Sequence, residues 1–163
     1  MTVGPAVAAV SDDPEGAEVF REVVAQRNEL STGARERVHL ALLPMDDLDE
    51  NAAIVNALQR NAEVVVQKSL AEGFGLPVIE AFSFGTPVVH SDAPAVVEVA
   101  AGAGLQVERE DADGYPGRLA AAIASVVGDG GLAERLRFQG LDRAGAFSWQ
   151  DSAQKVWQLH ADL

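Results

Sequence analysis

The chain has 163 residues, of which 48% are hydrophobic, with a mean hydropathy of +0.06 and no cysteine. Its 12 Lys and Arg stand against 25 Asp and Glu, a formal charge of −13, which excludes nonspecific binding to nucleic acid or to anionic membranes, since both need cations. This composition also excludes a disordered tail and a coiled coil, and the lack of cysteine excludes disulfides, thiolate metal sites and a cysteine nucleophile.

The length suits one domain over residues 1–163, large enough to bury roughly 70% of the surface its unfolded form exposes. No apolar run reaches the ~18 residues of a membrane span. Residues 119–127 come nearest, and they are interrupted by Ser125 and stopped by Gly128. The apolar N-terminus has no positive charge before it and is followed by Ser11-Asp12-Asp13, which is unlike a signal peptide. The expected compartment is the cytoplasm.

In chain order, the first ten residues read as the end of a buried strand running into a Gly4-Pro5 turn, as if a chain were entered midway through an element. Asp12-Asp13-Pro14-Glu15 is a helix start, with an Asp cap, a proline in the first turn and acids near the positive end of the dipole. Val19, Phe20, Val23, Val24 and Leu30 give that helix an apolar stripe, and Gly33 closes it. A strand is predicted over 38–43, stopped by Pro44, with His39 packed in the core. A helix follows over 49–61 with Ile54, Val55 and Leu58 inward, and the acids of 46–50 are its solvated approach, since the glycine and terminal glutamate of a calcium loop are missing.

The run Val64-Val65-Val66 shows no alternation, as in strands covered on both faces of a parallel sheet. A helix is predicted over 77–84, ended by Gly85, then short strands at 87–90 and 105–107, and finally helices at 116–127, 130–145 and 149–160, the last starting at a Ser148 cap. Trp149 and Trp157 fall on one face of that last helix and read as core. Alternating strands and helices imply an α/β, Rossmann-like parallel sheet with helices on both faces and a helical C-terminal end. His90 reads as a structural residue at a strand end, and His160 carries no signal. Three dispersed histidines without cysteine predict no metal site.

The segment with chemistry is 67–98, QKSLAEGFGLPVIEAFSFGTPVVHSDAPAVVE. A buried strand ends at Gln67, a glycine loop (Glu72-Gly73-Phe74-Gly75) follows, and a helix opens at Leu76-Pro77. Glycines let the backbone approach a ligand, and a helix N-terminus offers unpaired N–H groups that suit a phosphate. Such loops lie at the carboxyl ends of parallel strands, where ligands of open α/β sheets bind. The glycines forbid one continuous helix from Glu72 to Glu80, so the two carboxylates can reach one cleft from different directions.

Glu72 and Glu80 within EGFGLPVIE resemble the paired-glutamate signature of retaining GT-B glycosyltransferases of family 4. Gly85-Thr86-Pro87-Val88-Val89, Ser91-Asp92-Ala93-Pro94 and Glu98 continue the resemblance, which extends over nearly the whole chain as the C-terminal half of that fold. Asp12-Asp13-Pro14-Glu15-Gly16 and Gln67-Lys68-Ser69 look like the trehalose-synthase branch, whereas Asp92-Ala93-Pro94-Ala95 follows the general family form where that branch has a Gly-Gly-Ile-like sequence.

The resemblance implies transfer of a hexosyl, in the first place glucosyl, group from a nucleoside-diphosphate sugar to a sugar acceptor, with the nucleotide sugar as substrate and no cofactor. It implies that Glu72, the catalytic carboxylate, contacts donor-sugar hydroxyls near the reacting carbon and that Glu80 accepts hydrogen bonds from the two ribose hydroxyls. The backbone of Gly73, Phe74, Gly75 and Leu76 then lies against sugar and diphosphate. Lys68 reads either as a solvated strand-end lysine or as the nearby cation for phosphate. The family's Arg and Lys that neutralise the leaving diphosphate, and its N-terminal acceptor half, fall before Met1, so the expected partner is that missing half or a second copy of the chain. Two other readings stand beside this one. One is a nucleotide-sugar binding module or truncated paralogue without independent activity. The other is a glycoside hydrolase using Glu72 and Glu80, which requires its carboxyls ~5–9.5 Å apart on opposite sides of the scissile bond.

Overall fold

A computed structural model describes residues 2–5, 16–43 and 46–161. The chain separates into two compact units, Met1–Val55 and Asn56–Leu163.

In the first unit, strand β1 (Thr2–Pro5) pairs in parallel with β2 (Leu40–Leu43), Val3 opposite Ala41 and Pro5 opposite Leu43. The chain therefore does not turn at Gly4-Pro5. Pro5 lacks an N–H, and a strand paired on one side among the described residues tolerates it. Helix α1 spans Gly16–Glu29 and a one-turn helix α2 spans Thr32–Arg35. Gly33 lies inside α2 and does not close α1. The expected cap at residues 12–15 and the stop at Pro44 lie outside the described residues. Arg27 ties α1 to the segment before β2 by donating to the carbonyls of Val38, at 2.6 Å, and Arg35, at 3.0 Å. The stripe of α1 is only half covered, with Val19 and Leu30 exposed. His39 precedes β2 and is exposed, so the core position expected for it is wrong. The strand is shorter than the apolar run because Val38 closes a turn onto Arg35.

Helix α3 (Leu48–Asn61) runs from the first unit into the second. Asp47 caps it, its Oδ1 accepting from the amides of Asp49 and Glu50, each at 3.0 Å.

The second unit holds a parallel sheet in the order β3 (Val65–Gln67), β4 (Val88–Ser91), β5 (Leu105–Val107). Helices α4 (Leu76–Ser83) and α5 (Pro94–Ala100) connect the strands, followed by α6 (Tyr115–Gly128), α7 (Gly130–Ala144) and α8 (Trp149–Ala161). All four residues of β4 are buried, and its side chains alternate between two cores. Val88 joins Val78, Phe82, Val96 and Val99, while Val89 joins Val107, Val126 and Leu136. The sheet is thus covered by helices on both faces, as expected from its unalternating valine runs.

Helix α5 is absent from the predicted elements. Its Val-rich sequence has low helix propensity, and Pro94 at the first helical turn is the one local signal. Helix α8 starts as expected, with the Ser148 Oγ accepting from the Asp151 amide at 2.9 Å. Its tryptophans, however, are not core. Trp149 is 89% and Trp157 72% exposed, and no residue of α8 is buried. Their eight-residue spacing does place them on one face, together with Val156 and His160 around an open groove of ≈ 460 Å³, but nothing among the described residues covers that face. No helix among the described residues is long and apolar enough to cross a membrane.

Gly140 of α7 faces the fully buried ring of Phe82, and a Cβ there would lie 2.7 Å from Phe82 Cδ1. Gly140→Ala improves helix propensity by about 1 kcal/mol, but overpacking a rigid core costs typically ~1–3 kcal/mol. The clash should win, with a net loss of about 1 kcal/mol in urea unfolding. Gly117→Ala in α6, where a Cβ meets nothing within 4 Å, should instead be neutral or stabilising.

Candidate functional site

The loop between β3 and α4 begins where the sheet's hydrogen bonding stops. Gln67, the last residue of β3, donates from Nε2 to Glu72 Oε2 at 2.8 Å and to Ser69 Oγ at 3.0 Å. The strand end itself therefore orients the first carboxylate. Glu72 is half-buried. Its side chain folds over the start of α4, since a Cβ on Gly75 would lie 3.8 Å from Glu72 Cγ.

Gly75 is buried and occupies the N-cap of α4 with φ +95, a left-handed conformation that a side chain would strain. It also carries no side chain to cap the helix, so no side chain bonds the first amides of α4. With Pro77 in the first turn, the Leu76 amide has no partner among the described residues, while the Val78 amide bonds the Gly75 carbonyl at 3.0 Å. Gly73 differs: it is exposed, a Cβ there would meet nothing within 4 Å, and its φ is not positive. The Phe74 and Leu76 side chains are both about half exposed on either side of Gly75.

Glu80 sits one turn into α4 and accepts a hydrogen bond from Gln59 Nε2 to its Oε2 at 3.0 Å. Gln59 is itself buried and its backbone carbonyl accepts from the Thr86 hydroxyl at 2.8 Å. Its Oε1 has no partner among the described residues. The sequence reading missed Gln59. It stands four residues after Val55 and so shares the apolar face of α3, which is a detectable anomaly for an amide. Lys68 is exposed and makes no hydrogen bond or ion pair among the described residues.

The loop is held from three sides. Ser91, at the end of β4, donates its hydroxyl to the Ser69 carbonyl at 2.7 Å. Arg109, beyond β5, donates to the Leu70 carbonyl at 2.7 Å and pairs with Asp92. On the far side, Phe74 meets Phe147 edge-on with centroids 6.0 Å apart, and Arg143 stacks on Phe147 at 4.7 Å while donating to the Val99 carbonyl at 2.8 Å. Arg109 and Phe147, with Arg143 stacked behind Phe147, escaped the sequence reading because they come to the loop from distant positions with no shared spacing. No cluster of three metal-ligating side chains occurs among the described residues.

This geometry places a loop with two separately held carboxylates at the carboxyl end of a parallel sheet, and comparison with known proteins identifies it. The profile of the family described as glycosyl transferases group 1 matches residues 48–142, which includes the whole loop. The chain belongs to that family. It is 31% identical over 161 residues to alpha-maltose-1-phosphate synthase of Mycobacterium tuberculosis, covering 94% of this chain and 38% of that protein. It is 34% identical over 137 residues to trehalose synthase of Rubrobacter xylanophilus, covering 83% of this chain and 29% of that one. The solved structure of sucrose-phosphate synthase from Thermosynechococcus elongatus superposes with a TM-score of 0.71 at 31% identity, over 98% of this chain and 37% of that one. The GT-B assignment read from the paired-glutamate motif is thereby borne out. The chain spans between 29% and 38% of the length of these three proteins.

His90, beside Ser91, is one of two buried polar residues of β4 and pairs with Gln67 at the start of this loop. Its Nδ1 donates to the Ser91 carbonyl at 2.8 Å, and Nε2 is buried without a partner among the described residues. Protonating Nε2 would create a buried donor with nothing to receive it, so burial holds the His90 pKa below its ordinary value, partly offset by the Ser91 bond. The structural role expected for His90 fits this geometry. Because the unfolded chain takes up the proton first, stability is full above about pH 6.5 and is lost as the pH falls from there through the folded-state value. Urea midpoints measured from about pH 7 to pH 5, above most carboxylate titrations, should fall with pH in the wild type and fall less in His90→Gln.

Proposed function

We propose that residues 1–163 form the donor-binding, C-terminal half of a retaining family 4 glycosyltransferase that moves a hexosyl group from a nucleoside-diphosphate sugar to a sugar acceptor. The observation that carries this reading is the division of labour across Gly75. One carboxylate, Glu72, precedes it and is oriented by β3, and the other, Glu80, follows it and is oriented by α3. A carboxylate accepts two donors at once, which fits Glu80 to the ribose diol and Glu72 to sugar hydroxyls. The uncapped start of α4 between them suits the diphosphate. Backbone of Gly73, Phe74, Gly75 and Leu76 lines the path, and exposed Lys68 is free to add a cation.

In this mechanism the chain's residues act by placement. Glu80 and the α4 terminus fix the nucleotide, Glu72 fixes the sugar, and positive potential at α4 favours the charge that develops on the leaving diphosphate. No cofactor is needed for that chemistry. The finer reading is glucosyl transfer in the direction of trehalose synthesis, in the cytoplasm. Gln67-Lys68-Ser69 and the identity to a trehalose synthase support that reading, while other similar proteins are named as synthases of maltose-1-phosphate and sucrose phosphate.

Calorimetry with UDP, ADP and GDP tests donor binding. Glu80→Ala should weaken the best of the three by roughly 1.5–3 kcal/mol, the worth of hydrogen bonds to a charged group. An unchanged affinity would remove Glu80 from the ribose.

Transfer further requires an acceptor held in line and neutralisation of the leaving diphosphate, effects that together supply many kcal/mol. The −13 charge of these residues repels an anionic donor at long range. These 163 residues alone should therefore release no nucleoside diphosphate from UDP-, ADP- or GDP-glucose, with or without glucose. Activity should appear with an N-terminal GT-B half, fused or in trans, and be abolished by Glu72→Ala. Sustained turnover by the isolated residues would instead favour hydrolysis or a self-assembled dimer.

A further inference from the structure

Residues 68–72 have little apolar reason to stay where they are. Lys68, Leu70 and Ala71 are exposed, Leu70 to 76%. Such a segment is positioned by hydrogen bonds from Gln67, Ser91 and Arg109, and Arg109 is the charged donor among them. Its Nη1 donates to the Leu70 carbonyl at 2.7 Å and its Nε donates to Asp92 Oδ1. Its own amide donates to Asp92 Oδ2 at 3.1 Å. One residue thus engages both oxygens of Asp92, and the Arg109 side-chain hydrogen bond holds the Asp92 carboxyl below the usual carboxylate range.

Asp92 directly follows β4 and Arg109 comes two residues after β5, so the pair bridges two strand ends and reaches the segment beyond the third. Only a guanidinium does this, since its planar fork presents Nε and Nη donors at a fixed angle, whereas an ammonium is a single point. The side chains are 22% and 25% exposed, and partly solvated pairs add little to global stability. What this pair determines is therefore local.

We infer that Arg109 is a positioning residue for the sugar end of the donor site. With Asp92 it fixes residues 69–72 and through them Glu72, and it leaves Glu80, held separately by Gln59, unaffected. The inference rests on the donor reading above and deepens it. Affinity for the nucleotide belongs to Glu80 and α4, and the added affinity for an attached sugar depends on Arg109.

The wild-type, Arg109→Gln and Arg109→Lys chains are compared by hydrogen exchange and by calorimetry with UDP, ADP, GDP and their glucose esters. In Arg109→Gln, amides of 68–74 should exchange about tenfold faster, the size of one charge-assisted bond, while those of β3 and β4 stay protected. Affinity for free diphosphate should be unchanged, and the ratio of nucleotide-sugar to diphosphate affinity should fall by about tenfold. Arg109→Lys, which keeps one contact, should recover part of both effects. Unchanged loop exchange, an unchanged affinity ratio, or a loss of protection spread over the whole sheet would each overturn the assignment while leaving the donor reading intact. Failure of the wild type to bind any of the diphosphates would overturn the donor reading, and this assignment with it.

Discussion

The burial of β4 on both faces is the constraint on which the second unit depends. Val88 and Val89 point into different cores, so moving the strand by one residue would exchange the contents of both. That register also sets the ends of the neighbouring strands, because Val65 pairs with Val88 and Leu105 with Val89. The loops that leave the carboxyl ends of three strands are consequently brought together, and Ser91 and Arg109 meet the segment that follows β3.

Two kinds of force then divide the work at the site. Apolar burial places α4, with Val78, Ala81 and Phe82 inward, and so fixes Glu80 as a helical residue on a rigid support. The loop before it is exposed and polar, and hydrogen bonds from Gln67, Ser91 and Arg109 define its path. Bonds of that kind are individually modest and locally reversible. A carboxylate on a helix and a carboxylate on a bonded loop can therefore respond differently to a ligand, although both belong to one short motif.

The charge of the chain opposes the anionic donor proposed for the site. A net charge of −13 acts at long range and is screened beyond roughly 10 Å in ordinary salt, whereas the partial charge at a helix terminus acts only within the first turn. On the proposed donor reading, the local term decides where a diphosphate rests, and the global term affects how readily it arrives.

The sequence by itself determined most of the second unit. Unalternating valine runs marked β3 and β4, glycine and proline marked the ends of α4, and the spacing of Glu72, Gly75 and Glu80 pointed to the family before any coordinate was known. These are local signals, set by backbone freedom and by the period of apolar residues. Tertiary structure alone decided what pairs across distance. Gln59 reaches Glu80 from 21 positions away and Arg109 reaches Leu70 from 39, and no periodicity records such contacts. It also decided what covers an apolar stripe. Trp149 and Trp157 lie on one face as their spacing requires, yet they are exposed, because an amphipathic pattern specifies which side of a helix seeks a partner and not whether one is present.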